Sequence, residues 1–454
     1  MGLGLLGGGI ATAKWLVKHG AEVTVTDLKS RADLSGSIKS LGSAARKIRL
    51  ALGRHEESDF RSHQIVVVNP AVPKESLFLK IARDSGAGLE NEASLFFRFC
   101  KNPAIGVTGT RGKTTTVNWI HHFLKQKYPH TVLTGNSSDH PMLKALDGLD
   151  GHSPVVVELS SWHLEILPES KRSPHIAVIT NIYPDHLNRY KNITEYASAK
   201  ANIFKHQTKE DFLILNKKND WTKFFLKQSA SWRTNSRIKF APFSPPFSLL
   251  SHFDLGEHNL QNLKTATLAA HLAGVGWDLI KPAIKTLPQI KFRQEVVYKK
   301  GGLTVVNDTT ATSPDATVTA LKRFGHQGEI LILITGGTDK KLEFADWAKM
   351  VKKTVKPENL FLLEGSATAK MISSLNQIGY FKKIKPNFFI DFEILLASAL
   401  KRAQTIKGKK ILLFSPGAAS FEKFKNEFDR GERFNQYLAV ANSFDLQRLN
   451  GRSR

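Results

Sequence analysis

Apolar residues gather in short runs with little polar interruption. They stand at 155–160 (VVVELS), 176–182 (IAVITNI), 211–216 (DFLILN), 303–308 (LTVVND), 329–337 (EILILITGG), 359–365 (NLFLLEG) and 409–417 (KKILLFSPG). Runs of this length, not alternating with polar residues, suit strands buried on both faces. The stretches between them read as helices or loops, so mostly parallel sheets with helices on both faces are predicted. Upstream, the chain opens on a glycine turn, a helix over 10–19 and a strand over 21–26, with another buried strand inside 63–73. A strand at AIGVTG opens a second unit, a capped helix is predicted over 256–276, and the proline- and serine-dense 239–254 reads as a loop or irregular strands. The simplest division is three consecutive α/β domains at 1–102, 103–287 and 288–454. The strand that ordinarily precedes a glycine turn is missing at the start, so the first sheet is expected to be one strand short.

At 454 residues, several domains are expected. Lys and Arg number 65 against 40 Asp and Glu, a formal charge of +25, which favours anionic ligands. The lysines are spread along the chain without a nucleic-acid reader motif, so no nucleic-acid partner is expected. No apolar run reaches membrane-spanning length. The single cysteine, Cys100, excludes an intramolecular disulfide framework and fits a reducing compartment, so the cytoplasm is expected.

The candidate chemistry begins at AIGVTGTRGKTTTVNW, 104–119. Gly112-Lys113-Thr114 is the ending of a phosphate-cradling loop, in which backbone N–H groups surround phosphate oxygens, a lysine neutralises them and a hydroxyl meets Mg²⁺. Val107 stands where the strict motif has glycine, leaving a GTxGKT variant flanked by a predicted strand and helix. A second glycine pattern, Gly2, Gly4 and Gly7 with Asp27 after the next strand, suits a dinucleotide, another pyrophosphate-bearing anion, or tight packing alone. Glu158 ends a buried strand, where open α/β sheets bind ligands. Asn181, Asp185 and His186 follow the next strand, and Lys200 lies on a predicted helix.

The ordered series GTRGKTT, GNSS, ELSSWHLE, NIYPDHLNRY, YASAK, GEHNLQN, FRQE, NDTTATSPDA, GGTDK and SPGAASFEKFKNEFDRGERF resembles the Mur ligases of peptidoglycan synthesis along the whole chain. The resemblance implies an ATP-dependent amide ligase with a Rossmann-like UDP-binding domain, a P-loop ATPase-like central domain and a Rossmann-like C-terminal domain. Within the family it is similar to the members that act on UDP-N-acetylmuramoyl-L-alanine and D-glutamate, which implies a monomer with those substrates. On this resemblance the UDP group would sit on the turn 4–9, at Gly4, Leu5 and Leu6, and beside Asp27, Leu28 and Lys29. ATP would bind Gly109, Thr110, Arg111, Gly112, Lys113, Thr114 and Thr115, its adenine at Asn259 and Asn262, with Arg293 and Asp308 reaching the ribose and phosphates. Thr114 and Glu158 would hold one Mg²⁺, and Glu158, His186 and Lys200 a second, Lys200 being carbamylated. Lys113, His186 and Lys200 would form the catalytic set. Asn136 and Ser160 would meet substrate, and Thr312, Ser420 and Phe421 the amino acid.

The sequence departs from the D-glutamate-adding members at Thr310, where a lysine is usual, at Phe292, where a histidine is common, and at Glu427 and Phe428, where an aromatic pocket residue is expected. Lys340 or Lys425 is expected to supply the missing cationic contact.

Overall fold

The computed structural model describes residues 1–5, 7–136, 140–187, 189–242, 245, 255–325, 328–382 and 384–450, with side chains to 440. Its contacts divide the chain into two compact units, 1–251 with 259–288, and 252–258 with 289–454.

Among the described residues the first unit holds ten strands. β1 (Val23–Asp27) pairs in parallel with β2 (Ile48–Leu52), and β3 (Ile65–Val67) with β4 (Gly88–Glu90). Two residues bridge these small sheets. Gly2 N donates to Thr26 O (2.7 Å), Asn69 N to Met1 O (3.0 Å), and the Met1 amino group to Val67 O (2.9 Å). The place predicted to lack a strand is therefore crossed by backbone bonds to both sides. The larger sheet uses β5 (Ala104–Thr108), β6 (Val132–Gly135), β7 (Val155–Glu158), β8 (Ile176–Ile179), β9 (Phe212–Asn216) and β10 (Arg237–Ala241). Its order is β10-β9-β8-β5-β7-β6, parallel at every pair.

The second unit orders its strands β11-β12-β16-β13-β14-β15. They are β11 (Glu295–Lys300), β12 (Leu303–Asn307), β13 (Ile330–Gly336), β14 (Leu360–Leu363), β15 (Asn387–Phe389) and β16 (Lys410–Phe414). β11 and β12 are antiparallel, joined by Gly301 and Gly302 at φ 59° and 76°, the left-handed pair that a two-residue hairpin turn requires. The other pairs are parallel. Leu331, Leu333, Ile411 and Leu413 join one buried cluster, while Ile332, Ile334, Leu412 and Phe414 join another. Successive side chains of a strand point to opposite faces, so unbroken apolar runs are what a sheet covered on both sides demands.

Arg430, on the helix Glu427–Asn450, is fully buried, and among the described residues no carboxylate is bonded to it. Its guanidinium donates to the carbonyls of Ala418 and Ala419 (3.2 Å each) and Thr309 (2.7 Å), and to Thr309 Oγ1 (3.0 Å). Burial draws its pKa down to about 9, and the Glu427 charge acts the other way. The fork thus ties the loop after β16 to the loop after β12. Arg430→Met keeps the bulk but orphans the carbonyls of Ala418 and Thr309, each costing about 1–3 kcal/mol, while Ala419 O keeps its bond from Thr338 N (2.9 Å). It should lower the unfolding midpoint of the second unit by several degrees in calorimetry. Arg430→Lys, lacking the fork, should recover little of that loss.

Candidate functional site

The phosphate loop, 109–112, connects β5 to the helix Lys113–Leu124. Gly109 (φ 147°) and Gly112 (φ 78°) leave no space for side chains. A Cβ at Gly109 would lie 1.9 Å from Thr180 Oγ1, and one at Gly112 would lie 2.4 Å from Asn262 Oδ1. The residues after β8 fasten the loop. Thr110 N donates to Asn181 O (2.8 Å), Arg111 N to Asn181 Oδ1 (2.9 Å), and Thr180 Oγ1 to Arg111 O (2.6 Å). The first N–H groups of the helix, from Lys113 to Thr115, have no intrahelical acceptor and suit an anion. Lys113 Nζ folds back to the carbonyls of Gly109 and Thr110, at 3.0 Å each.

Lys200, on the helix Ile193–Ala201, is 1% exposed. Its Nζ reaches Thr108 Oγ1 (3.4 Å) and lies 4.6 Å from the centre of the Tyr196 ring. Burial, then the charge of Lys113, holds this amine well below the usual lysine range, against the opposing pull of Asp185 and Glu158. Glu158 ends β7 at 8% exposure, and its carboxylate forms no hydrogen bond or ion pair among the described residues. Asn136 N caps that strand through Glu158 O (2.9 Å). His186 stands at φ 54°, its Nε2 3.8 Å from Asp185 Oδ2 and its ring 5.5 Å from Trp162. Among the described residues no three His, Cys, Asp or Glu side chains converge to hold a metal. A metal here would therefore need further donors, such as the Thr114 hydroxyl, water, or an oxygen added to Lys200.

Asn259 and Asn262 share the helix Gly256–Leu272 and bond to each other (3.2 Å), Asn262 lying against Gly112. Ser160 caps the helix Ser161–Ile166 by accepting from His163 N. At the amino-terminal turn Asp27 accepts from Gly4 N (3.1 Å) and Lys29 N (2.9 Å). Leu5 and Leu28 stand exposed beside it, while Leu6 lies outside the described residues.

In the second unit, burial pushes the Asp308 carboxyl up to about 7, against hydrogen bonds from Ser415 Oγ (2.9 Å) and Gln294 N (3.1 Å) and the charges of Arg293 and Arg323. Thr312 Oγ1 accepts from Lys340 Nζ (3.1 Å). Thr310 Oγ1 is turned to Phe292 O (2.9 Å). Ser420 Oγ is buried without a partner, and Phe421 is 66% exposed. Motif reading did not single out Thr108, Thr180 or Arg430. Thr108 ends β5 and Thr180 directly follows β8, both beside the loop, and Arg430 lies in the quoted DRG, so position at a strand terminus and an arginine in an apolar setting were the available signals.

The sequence matches the family described as Mur ligase middle domain over residues 107–244. It is 38% identical to the UDP-N-acetylmuramoylalanine--D-glutamate ligase of Roseiflexus sp. (strain RS-1), across 96% of this chain and 97% of that protein. The ligase of the same name from Borreliella afzelii is 36% identical, across 96% of each. Among solved structures, UDP-N-acetylmuramate-alanine ligase from Thermotoga maritima superposes with a TM-score of 0.59 at 19% identity, covering 97% of this chain and 98% of that one.

Two outcomes test this geometry. Gly109→Ala, whose methyl has no room beside Thr180, should weaken binding of a fluorescent nucleoside triphosphate by about tenfold or more, the effect of ~1.4 kcal/mol. The neutral Asp308 carboxyl is favoured in the folded state. Its stabilisation is complete below the ordinary carboxyl range and is lost as pH rises through about 7. The second unit should therefore melt lower at pH 8 than at pH 5, and Asp308→Asn should flatten that slope. An unchanged slope would show that this carboxyl titrates in the ordinary range.

Proposed function

Because the chain belongs to the Mur ligase family, we propose that it joins D-glutamate to UDP-N-acetylmuramoyl-L-alanine with ATP, in peptidoglycan synthesis. The observation that carries this is identity of 38% to a ligase of that name along nearly the full chain. The chain is an ATP-dependent ligase of α/β fold.

The chemistry must make a poor acyl donor reactive. The substrate carboxylate takes the γ-phosphoryl group of ATP, giving an acyl phosphate and ADP. The D-glutamate amine then attacks the acyl carbon, and the tetrahedral intermediate expels phosphate as the amide forms. Such transfers need positioning and neutralisation of charge more than covalent help. Residues 109–115 hold the phosphates, with Lys113 set against the γ-phosphate. Asn259 and Asn262 take the adenine, and Arg293 and Asp308 the ribose and phosphates. Gly4, Leu5, Leu6, Asp27, Leu28 and Lys29 take the UDP group, with Asn136 and Ser160 nearer the reacting end. The segments 1–102, 103–287 and 288–454 would divide these tasks, in a cytoplasmic monomer whose mass light scattering would check.

Thr114, Glu158 and His186 fit a hard cation in donor type, and Mg²⁺ bound there would supply positive charge to the transferring phosphoryl group. As a cation or neutral amine, Lys200 offers such a metal little. A buried amine kept neutral can add to CO₂, forming an N–C bond and losing a proton, which converts it to a carboxylate. Its depressed pKa beside Lys113 supports that modification. For the amino acid, the Lys340 ammonium beside Thr312 stands in for the cation that Thr310 lacks, with Ser420 and Phe421 completing the pocket.

Phosphate release from ATP and Mg²⁺ in the presence of UDP-N-acetylmuramoyl-L-alanine should depend on D-glutamate. Dependence on another amino acid would reassign the specificity, and no release from folded protein would remove the ligase reading. In the same assay Lys200→Ala should lose about 10²–10³-fold in rate, the scale of one pre-organised charge-stabilising group. An added small carboxylate should restore part of it. Lys340→Ala should raise the KM for D-glutamate about tenfold or more, the worth of a hydrogen bond to a charged group. An unchanged KM in the Lys340→Ala, Lys425→Ala double variant would leave Thr310 uncompensated.

A further inference from the structure

Away from the phosphate loop, the first unit contains a cleft of about 610 Å³, within the size range of small-molecule sites. The helix Gly8–Lys18 forms one wall, with Trp15 and Leu16. The helix Glu92–Phe99 supplies Leu95 and Phe99, and the 146–151 segment supplies Leu146 and Leu149. Ile65 and Phe99, at 54% and 51% exposure, are large apolar side chains that the fold leaves uncovered, and both line this cleft.

Its polar lining consists of Trp15, His19, Lys101, Asn102 and Asp147. Trp15 is 8% exposed, and its indole Nε1 is buried without an acceptor. The ring is in contact with His19 at 4.2 Å and with Phe99 at 5.2 Å between centroids. The indole N–H is thus a donor that the protein leaves unused, and a buried donor of that kind is costly. Lys101 also lines the cleft and forms no ion pair among the described residues. The acid in the lining, Asp147, is bound to Lys18 at 2.8 Å. An unpaired cation among aromatic and aliphatic walls calls for an apolar body with one acidic group.

We propose that this cleft binds a small amphiphilic anion, an aromatic or branched hydrocarbon bearing one carboxylate or sulfonate. The acid faces Lys101, and the apolar body covers Ile65, Leu95, Phe99 and Leu149. The ligand would bridge the helix Gly8–Lys18 and the 146–151 segment, which already meet through the exposed Lys18–Asp147 pair and through Leu16, Leu146 and Leu149, packed against one buried cluster.

The probe is 8-anilinonaphthalene-1-sulfonate, titrated by fluorescence into the full chain. One saturable site is expected, undisturbed by excess ATP and Mg²⁺. Leu149→Trp, which fills the cleft, should abolish it, and Lys101→Glu should weaken it about fivefold or more, the scale of one exposed charge interaction. Both variants should keep the wild-type melting temperature and ligase rate. N-phenyl-1-naphthylamine, which lacks the acid, should bind at least about fivefold more weakly. The proposal fails if both variants bind the sulfonate as wild type does, if ATP displaces it, or if the neutral probe binds equally. Each result is independent of whether the ligase reaction proceeds.

Discussion

At Gly109 and Gly112, between β5 and the helix Lys113–Leu124, the backbone has no room for side chains, and much of this sheet edge depends on that crowding. Gly109 is closed in by Thr180 and Gly112 by Asn262. Only a sheet that sets β8 beside β5, in parallel, delivers Thr180 and Asn181 to the loop. The same parallel order brings β7 to the other side of β5 and leaves Glu158 at its carboxyl end. Parallel strands with covering helices all finish at one edge, so loop, carboxylate and anchoring amide become neighbours through topology rather than through nearness in sequence.

Charge is the second organising element. Lys113 and Lys200 interact electrostatically, and one of them is fully desolvated. Like charges under burial favour loss of a proton by the more buried group. Lys113, at the more open position, bonds the loop carbonyls of Gly109 and Thr110. In the second unit Asp308 shows the converse, a carboxyl kept neutral by burial although two arginines draw it down. Both effects come from where the backbone puts the group, which a list of motif residues does not contain.

That difference explains what could be read from the chain. β7, β8, β9, β13, β14 and β16 have apolar runs buried at most or all positions, and each was foreseen. β6, β10, β11 and β15, the edges of the two large sheets, were not, nor were β2 and β4 in the small ones. An edge strand pairs on one side and carries mixed exposure, as the three charged or apolar exposed residues Arg237, Lys239 and Phe240 of β10 show. Its identity is set by a neighbour distant in sequence. The site divides likewise. Residues with distinctive chemistry at motif positions were legible. Thr108 and Thr180 were not, because only the folded sheet makes a common threonine significant.

Arg430 grips Ala418, Ala419 and Thr309 chiefly through backbone carbonyls, and every residue type has one. The loop bearing Ser420 and Phe421 is thereby held without reference to the side chains it displays. Frame and displayed surface are thus encoded by different positions. If the proposed amino-acid pocket is right, changes at 420 and 421 would alter what it accepts while the scaffold stays in place. A lineage could then drift between substrates by small substitutions there, with the arginine as a fixed point.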